Sequence, residues 1–233
     1  MTNAFDEWDR QCDHINSDKQ MLYQQMKECL KKEESADALY RMAKVCLFLS
    51  QSAEKAKNKD LEKMMATEAL QYADMSCKKD NNNPNCHKWY CAAVGKLATL
   101  SAAKERLKYG KDFKDHADIA LSLNPNDQLM QSMYGQWCYN VASLSWVERK
   151  VAAAIYGEVP NADYNMALQA FKKVQELNPE SKENHLWLAK THIALKQTTE
   201  AKQYLQKGLT LPNKNINDEI AHQQLDALNK KYK

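Results

Sequence analysis

Glycine and proline are scarce in this chain of 233 residues, with five of each. Average usage is roughly 7% glycine and 5% proline, so the chain is poor in the turn residues that an all-β fold needs. The glycine-rich loops that bind phosphate, GxGxxG and GxxxxGK[ST], are missing too, which argues against the nucleotide-binding α/β classes. Alanine, leucine, lysine, glutamine, glutamate and methionine dominate instead, and all six favour helices. Composition alone therefore predicts an all-α protein.

A long apolar run is also missing. No unbroken apolar stretch is longer than the six residues of 151–156, whereas a membrane-spanning helix needs about 20 apolar residues. The first ten residues are polar and acidic, unlike a secretory signal or a basic transit peptide. We therefore expect a cytoplasmic chain that has no transmembrane anchor.

The seven cysteines are odd in number and follow no secretory signal, so a disulfide framework is not expected. Cys86, His87 and Cys91 form one short-spaced group, but structural zinc sites usually need a second pair, which the sequence lacks. Cys46 and Cys138, like Cys91, lie in apolar helical patterns, where a free thiol behaves as a small hydrophobe. The sequence predicts buried thiols, no metal and no other cofactor.

Catalytic motifs are absent as well. The sequence contains no GxSxG, no HExxH and no paired-carboxylate motif, and its six histidines are scattered. Because catalysis needs positioned partners and none can be named, we expect no enzyme activity.

Internal repeats are the strongest pattern that is present. Residues 116–125, 170–179 and 204–212 read alike, and each segment ends in a leucine and then a proline, which cannot continue a helix. A second helical pattern follows each proline. Such helical hairpins, with a period near 34 residues, are typical of tetratricopeptide repeats. Pro179 and Pro212 are 33 residues apart, close to this period. The two preceding intervals between successive repeat-ending prolines are 41 and 54 residues, so the middle repeats carry insertions.

These patterns predict an all-α solenoid of degenerate tetratricopeptide-like hairpins with about ten or eleven helices. We expect residues 1–34 to be a helical, partly disordered extension, and residues 35–233 to be the repeat domain with a C-terminal capping helix. Where paired helices cross we expect small residues, namely Gly135, Ala167, Ala189 and Ala201. The bulky positions of the second helices should hold Phe171 and Leu205. Side-chain caps at helix starts should be Ser35, Asn126, Ser181 and Thr199.

Charge is placed unevenly although the net charge is only +3. The segment with the densest basic cluster contains only two acidic residues, Glu105 and Asp112. This cluster is either a solvated helix face or a patch that binds an acidic partner. A pI of about 8.3 and few arginines make nucleic acid a less expected partner. The cluster consists of Lys96, Lys104, Arg106, Lys108, Lys111 and Lys114.

Aromatic residues follow the helices of the middle repeats, where most should pack between helices. Some are candidates for lining a groove that binds peptides, as the inner faces of such arrays do. The groove candidates are Trp89, Tyr134, Trp137, Trp146 and Arg149.

Two strings are more specific than the repeat pattern: CHKWY at residues 86–90 and LSWVER at residues 144–149. They stand in an ordered series with Gly95, Lys104, Gly110, His116, residues 123–125, Gly135, Gly157, Pro160 and residues 167–168. Over about residues 35–212 the chain resembles the regulator of microtubule dynamics family, above all its short nematode-type members without a membrane anchor.

The resemblance implies degenerate tetratricopeptide-like repeats and a non-enzymatic protein that associates with microtubules, the cytoskeleton, the spindle and spindle poles. It implies a role in spindle organisation and chromosome segregation, with mitotic regulatory proteins as further partners. Because the repeat domain of a relative binds phospholipid, a phospholipid-binding or transfer module is one alternative. A general peptide-binding adaptor is the other.

The charge pattern and the resemblance agree. Tubulin has an acidic, glutamate-rich exterior, and a lysine cluster on a helical scaffold can bind it by summed attraction of about 0.2–1 kcal/mol per exposed pair. Since exposed pairs are screened by salt, we expect distributed binding that is lost at high ionic strength. The sequence thus favours a microtubule-binding scaffold.

Overall fold

The computed structural model describes residues 4–14, 17–156 and 159–232. Twelve α-helices and no strand occur in this described part, so the all-α prediction is confirmed with a helix count just above the ten or eleven expected. The helices are α1 (Ala4–Asp13), α2 (Lys19–Lys32), α3 (Ala36–Lys55), α4 (Lys59–Lys79), α5 (Pro84–Thr99), α6 (Ala103–Leu123), α7 (Gln128–Ala142), α8 (Trp146–Tyr156), α9 (Tyr164–Leu177), α10 (Lys182–Ala194), α11 (Thr198–Thr210) and α12 (Ile216–Lys231).

The chain divides into two compact units, residues 1–124 and 125–233. In unit 1, α3 pairs with α4 and α5 pairs with α6, while α1 and α2 pack on α3. In unit 2, α7 pairs with α9, α10 pairs with α11, and α12 packs against both members of the second pair. Helix α8 stands in the sequence between the partners α7 and α9, which accounts for the long interval between Pro125 and Pro179.

The N-terminal residues contribute to the core of unit 1. Helix α2 buries Leu22, Tyr23 and Met26, which belong to one apolar cluster with Met42 and Cys46 of α3. Of the extension expected at residues 1–34, residues 1–3, 15 and 16 lie outside the described part, and the boundary at residue 34 stays a prediction.

Helix starts follow local side-chain chemistry. Ser35 and Ser181 cap α3 and α10 as predicted, each side chain accepting a backbone N–H three residues on. The cap of α7 is Asp127 rather than Asn126, because the Asp127 carboxylate accepts the N–H of Met130 at 2.9 Å. Thr199 lies inside α11, whose N-cap residue is Gln197.

Small residues lie where the helices of unit 2 cross. Ala167, Ala189 and Ala201 are fully buried, and an added Cβ at Gly135 would lie 2.7 Å from the ring of Phe171. The predicted crossing positions are thus confirmed, and Phe171 is itself fully buried. Within the described residues, no helix is both long enough and apolar enough to span a bilayer.

Candidate functional site: a lysine face on the sixth helix

Helix α6 presents three lysines on one face. Lys104, Lys108 and Lys111 follow the i, i+4, i+7 spacing that aligns side chains on a helix, and all three are exposed. At about 1.5 Å rise per residue they span about 10 Å along the axis. The opposite face packs into unit 1 through Phe113 and Ala117, so the lysines point away from the core. We name these three residues the lysine face.

Counter-charge lies close to the lysine face, because Asp115 is exposed four residues after Lys111 on the same side of α6. In the part of the chain that the structure describes, none of its three ammonium groups forms an ion pair. Arg106 is exposed on the first turns of the same helix. Asp112 lies on the flank, where burial and then the charge of Asp115 raise its pKa. The N-terminal half of α6 therefore offers net positive charge to an acidic surface.

Lys96 is placed differently from the rest of the predicted cluster. It lies on α5, and its Nζ donates to Glu54 Oε2 at 2.7 Å and to Glu62 Oε1 at 2.6 Å. Burial lowers the pKa of Lys96, but the hydrogen bonds with Glu54 and Glu62 outweigh burial and raise that pKa overall. The charge of Lys96 is therefore neutralised inside unit 1.

Lys114 is likewise paired. Its Nζ lies 2.5 Å from Asp118 Oδ2, one turn further along α6, and its side chain is only 28% exposed. Of the six predicted patch residues, the structure thus brings Lys104, Lys108 and Lys111 together, leaves Arg106 on another side of the same helix, and places Lys96 and Lys114 in ion pairs.

The groove candidates are divided between the two units. Trp89 belongs to unit 1, where it packs on the cluster of Tyr40, Cys77 and Cys86. Tyr134 and Trp137 stack in α7 of unit 2 with ring centroids 6.0 Å apart, and Trp137 is buried. These three aromatic side chains contribute to helix packing.

The LSWVER string builds the junction between α7 and α8. Ser145 and Glu148 form a reciprocal capping box at the start of α8, with Glu148 Oε2 accepting the Ser145 N–H at 2.9 Å. Arg149 donates to the carbonyls of Val141, Ala142 and Leu144 at 3.0–3.2 Å, which satisfies the C-terminal end of α7. Trp146 stays accessible, at 69% exposure, as does Val147, at 61%.

The sequence did not indicate an open cleft of about 1010 Å³ in unit 1. Its walls are α2 and α4, and because α2 was expected in a partly disordered extension, no sequence signal placed the two helices together. Burial raises the pKa of the lining Tyr72 to about 12, with the charge of Glu68 adding to the shift. The lining combines apolar and charged side chains: Lys27, Leu30, Lys31, Glu34, Asp60, Lys63, Met64, Thr67, Glu68, Gln71, Tyr72 and Met75.

One group of described residues has the chemistry of metal ligands. Cys77, His87 and His116 place one ligand atom each within 4.8 Å of the other two. Cys86 and Cys91 of the short-spaced group are buried as predicted. The Cys91 thiol does not belong to this group of three and donates to the carbonyl of Phe113 at 3.5 Å.

Comparison with known proteins bears on the whole chain. The family model described as regulator of microtubule dynamics protein 1-3 matches residues 4–233. Regulator of microtubule dynamics protein 3 of Bos taurus is 32% identical over 193 residues, which are 82% of this chain and 40% of that protein. The protein of the same name from Xenopus laevis is 35% identical over 176 residues, 75% of this chain and 37% of that protein. The chain thus spans about two fifths of the length of the curated relatives it matches.

A solved structure shares the fold. A thermophilic TPR protein of Thermus thermophilus aligns with a TM-score of 0.59 at 15% identity, covering 90% of this chain and 91% of its own. Identity this low supports the fold alone. The predicted architecture of tetratricopeptide-like hairpins is confirmed.

Proposed function

The chain belongs to the regulator of microtubule dynamics protein 1-3 family, and from this membership we propose that it binds microtubules and regulates their dynamics without catalysing a reaction. The lysine face is the single observation that supports a direct contact. Three aligned, exposed lysines fit an acidic, glutamate-rich surface such as that of tubulin.

The size of this attraction can be bounded. Three exposed pairs at about 0.2–1 kcal/mol each contribute roughly 0.6–3 kcal/mol, which is up to about two orders of magnitude in affinity. The contact is therefore strong enough to be measured and weak enough to be reversible. A reversible contact suits a protein that modulates growing and shrinking polymers.

The cellular role that we propose is organisation of the spindle and support of chromosome segregation. The protein would act in the cytoplasm on the cytoskeleton, at the spindle and its poles, together with mitotic regulatory proteins. Family membership supports this role, and imaging of a tagged chain in dividing cells tests it.

Co-sedimentation with microtubules polymerised from pure tubulin tests direct binding. The variant Lys104→Glu/Lys108→Glu/Lys111→Glu should lose at least about tenfold in affinity, equivalent to about 1.4 kcal/mol. The matched control is Lys172→Glu/Lys207→Glu/Lys230→Glu, which makes the same charge change on exposed lysines of unit 2. Equal losses in both variants would mean that net charge alone, and not the lysine face, governs binding.

The cleft between α2 and α4 favours a second function, binding of a phospholipid. Met64 and Met75 offer apolar lining, while Lys31 and Lys63 can pair with an anionic headgroup. Native mass spectrometry of gently purified protein should then detect one lipid adduct that Met64→Glu removes. Met21→Glu is the control, because Met21 is as exposed as Met64 but lies outside the cleft. A wild-type protein that carries no lipid would refute this function.

A further inference from the structure

Three helices of unit 1 bring one sulfur and two imidazole rings together. Cys77 lies on α4, His87 on α5 and His116 on α6. The Nδ1 atom of His116 lies 2.9 Å from Nδ1 of His87 and 3.8 Å from Sγ of Cys77. Cys77 and His87 are buried and His116 is partly buried, so these groups are shielded from bulk water.

The tautomer of His87 follows from its second nitrogen. The Nε2 atom lies 2.9 Å from the carbonyl oxygen of Asn81, which can only accept, so Nε2 carries the proton. In the neutral ring the lone pair is then on Nδ1, directed at His116. A histidine that ligates a metal almost always donates its other ring N–H in this way.

The ring of His116 is fixed by stacking. It lies parallel to the ring of Tyr90, with centroids 3.6 Å apart and an angle of 5° between planes. Without a metal, Nδ1–H of His116 donates to the free lone pair of His87. Burial lowers the pKa of His116 to about 4, so this ring is neutral near pH 7.

We propose that Cys77 Sγ, His87 Nδ1 and His116 Nδ1 bind one divalent transition-metal ion of the zinc class. Tetrahedral zinc with Zn–N near 2.0–2.1 Å and Zn–S near 2.3 Å separates two nitrogens by about 3.3 Å and nitrogen from sulfur by about 3.6 Å. The two distances to His116 differ from these values by less than about 0.5 Å. The remaining pair, Cys77 and His87, lies within 4.8 Å, so metal binding requires these side chains to move closer by about 1 Å at most. The fourth position is open to water or to an external ligand.

The donor set selects the class of metal. One thiolate and two imidazoles suit Zn²⁺, Co²⁺ and Ni²⁺, whereas Mg²⁺ and Ca²⁺ prefer oxygen ligands. A divalent ion and one thiolate leave a single positive charge, and the nearby carboxylates of Asp74 and Asp115, which act on His116, offset it.

Metal binding releases one proton from Cys77 and moves one proton within the ring of His116. Burial raises the pKa of the Cys77 thiol to about 12, so the thiol is protonated without metal and releases one proton to solvent when it ligates. The proton of His116 moves from Nδ1 to Nε2, and this ring stays neutral. The bound ion then links α4, α5 and α6, the helix that carries the lysine face.

Titration of the metal-free chain of 233 residues with Co²⁺ tests this site. We expect one Co²⁺ per chain, with visible d–d bands and a near-ultraviolet thiolate-to-cobalt band. Cys77→Ser and His116→Asn should both lose the thiolate band. Cys91→Ser should keep it, because Cys91 is a buried thiol between α5 and α6 that lies outside the cluster.

Thermal unfolding with Zn²⁺ supplies a second measurement. Zinc should raise the Tm of the wild type and of Cys91→Ser but not of the two ligand variants, because binding to the native state alone stabilises it. If a ligand variant does not fold, X-ray absorption of the wild-type cobalt complex decides between one sulfur with two nitrogens and a shell without sulfur. The proposal is overturned by a wild type that binds no Co²⁺, by a sulfur-free shell, or by a thiolate band that persists in Cys77→Ser.

Discussion

The ammonium group of Lys96 neutralises a buried carboxylate: its Nζ lies 2.6 Å from Oε1 of Glu62, whose side chain is only 7% exposed. Glu54 accepts a second hydrogen bond from the same ammonium group. One residue each from α3, α4 and α5 thus meets in this ion-pair network, which holds the hairpins of unit 1 together.

Replacing Lys96 with Met should lower the free energy of unfolding by about 3 kcal/mol, because removing one partner leaves Glu62 charged and buried without compensation. Urea denaturation followed by circular dichroism measures this change. The double variant Lys96→Met/Glu62→Leu should recover most of the loss, since an apolar pair removes the unpaired charge. Lys111→Met, at an exposed position, should stay within about 0.5 kcal/mol of the wild type. Equal stability of Lys96→Met and the wild type would contradict the pairing.

Substituting Gly135 with Ala should destabilise the protein by about 1–3 kcal/mol, despite the better helix propensity of alanine. The new methyl group would meet the ring of Phe171 at 2.7 Å, and that ring is buried and stacked on Trp187. The control is Gly95→Ala in α5, where no atom lies within 4 Å of the added Cβ. This control should stabilise by about 0.5–1 kcal/mol. A stabilised Gly135→Ala variant in the same denaturation assay would show that the contact between α7 and α9 can accommodate an added methyl group.

Acid should weaken the fold partly through His185. Burial lowers its pKa, although the hydrogen bond to the Ser181 carbonyl acts in the opposite direction. Because the folded state holds this ring neutral, its stabilising contribution is complete above about pH 6.5 and is lost as the pH falls. Denaturation curves from pH 7 to pH 5 should have a shallower decline for His185→Asn than for the wild type, by up to about 1.4 kcal/mol per pH unit. Parallel declines would mean that the pKa of His185 is the same in the folded and the unfolded protein.

Patterns local in sequence predicted the fold well. The Leu-Asn-Pro endings mark where α6 and α9 stop, and the small residues Gly135 and Ala189 lie buried at crossings, because turn chemistry and helical periodicity act over a few residues. Gly157 of the family series lies outside the described residues.

Pairings between distant residues could not be predicted in the same way. Lys96 and Glu62 are 34 positions apart on different helices, so the sequence grouped Lys96 with nearby lysines rather than with its partner. His87 and His116 are 29 positions apart, and no ligand spacing marks them as neighbours. Only the packing of α4, α5 and α6 brings these groups into contact.

The dependence of microtubule binding on salt shows whether the lysine face binds the polymer through charge. Co-sedimentation is measured for the wild type and for Lys104→Glu/Lys108→Glu/Lys111→Glu between about 50 and about 200 mM salt, a range over which screening of exposed charges becomes effective. The lysine face predicts that wild-type affinity falls steeply as salt rises, while the variant binds weakly at every concentration. Binding that is equally strong in both proteins and insensitive to salt would contradict it.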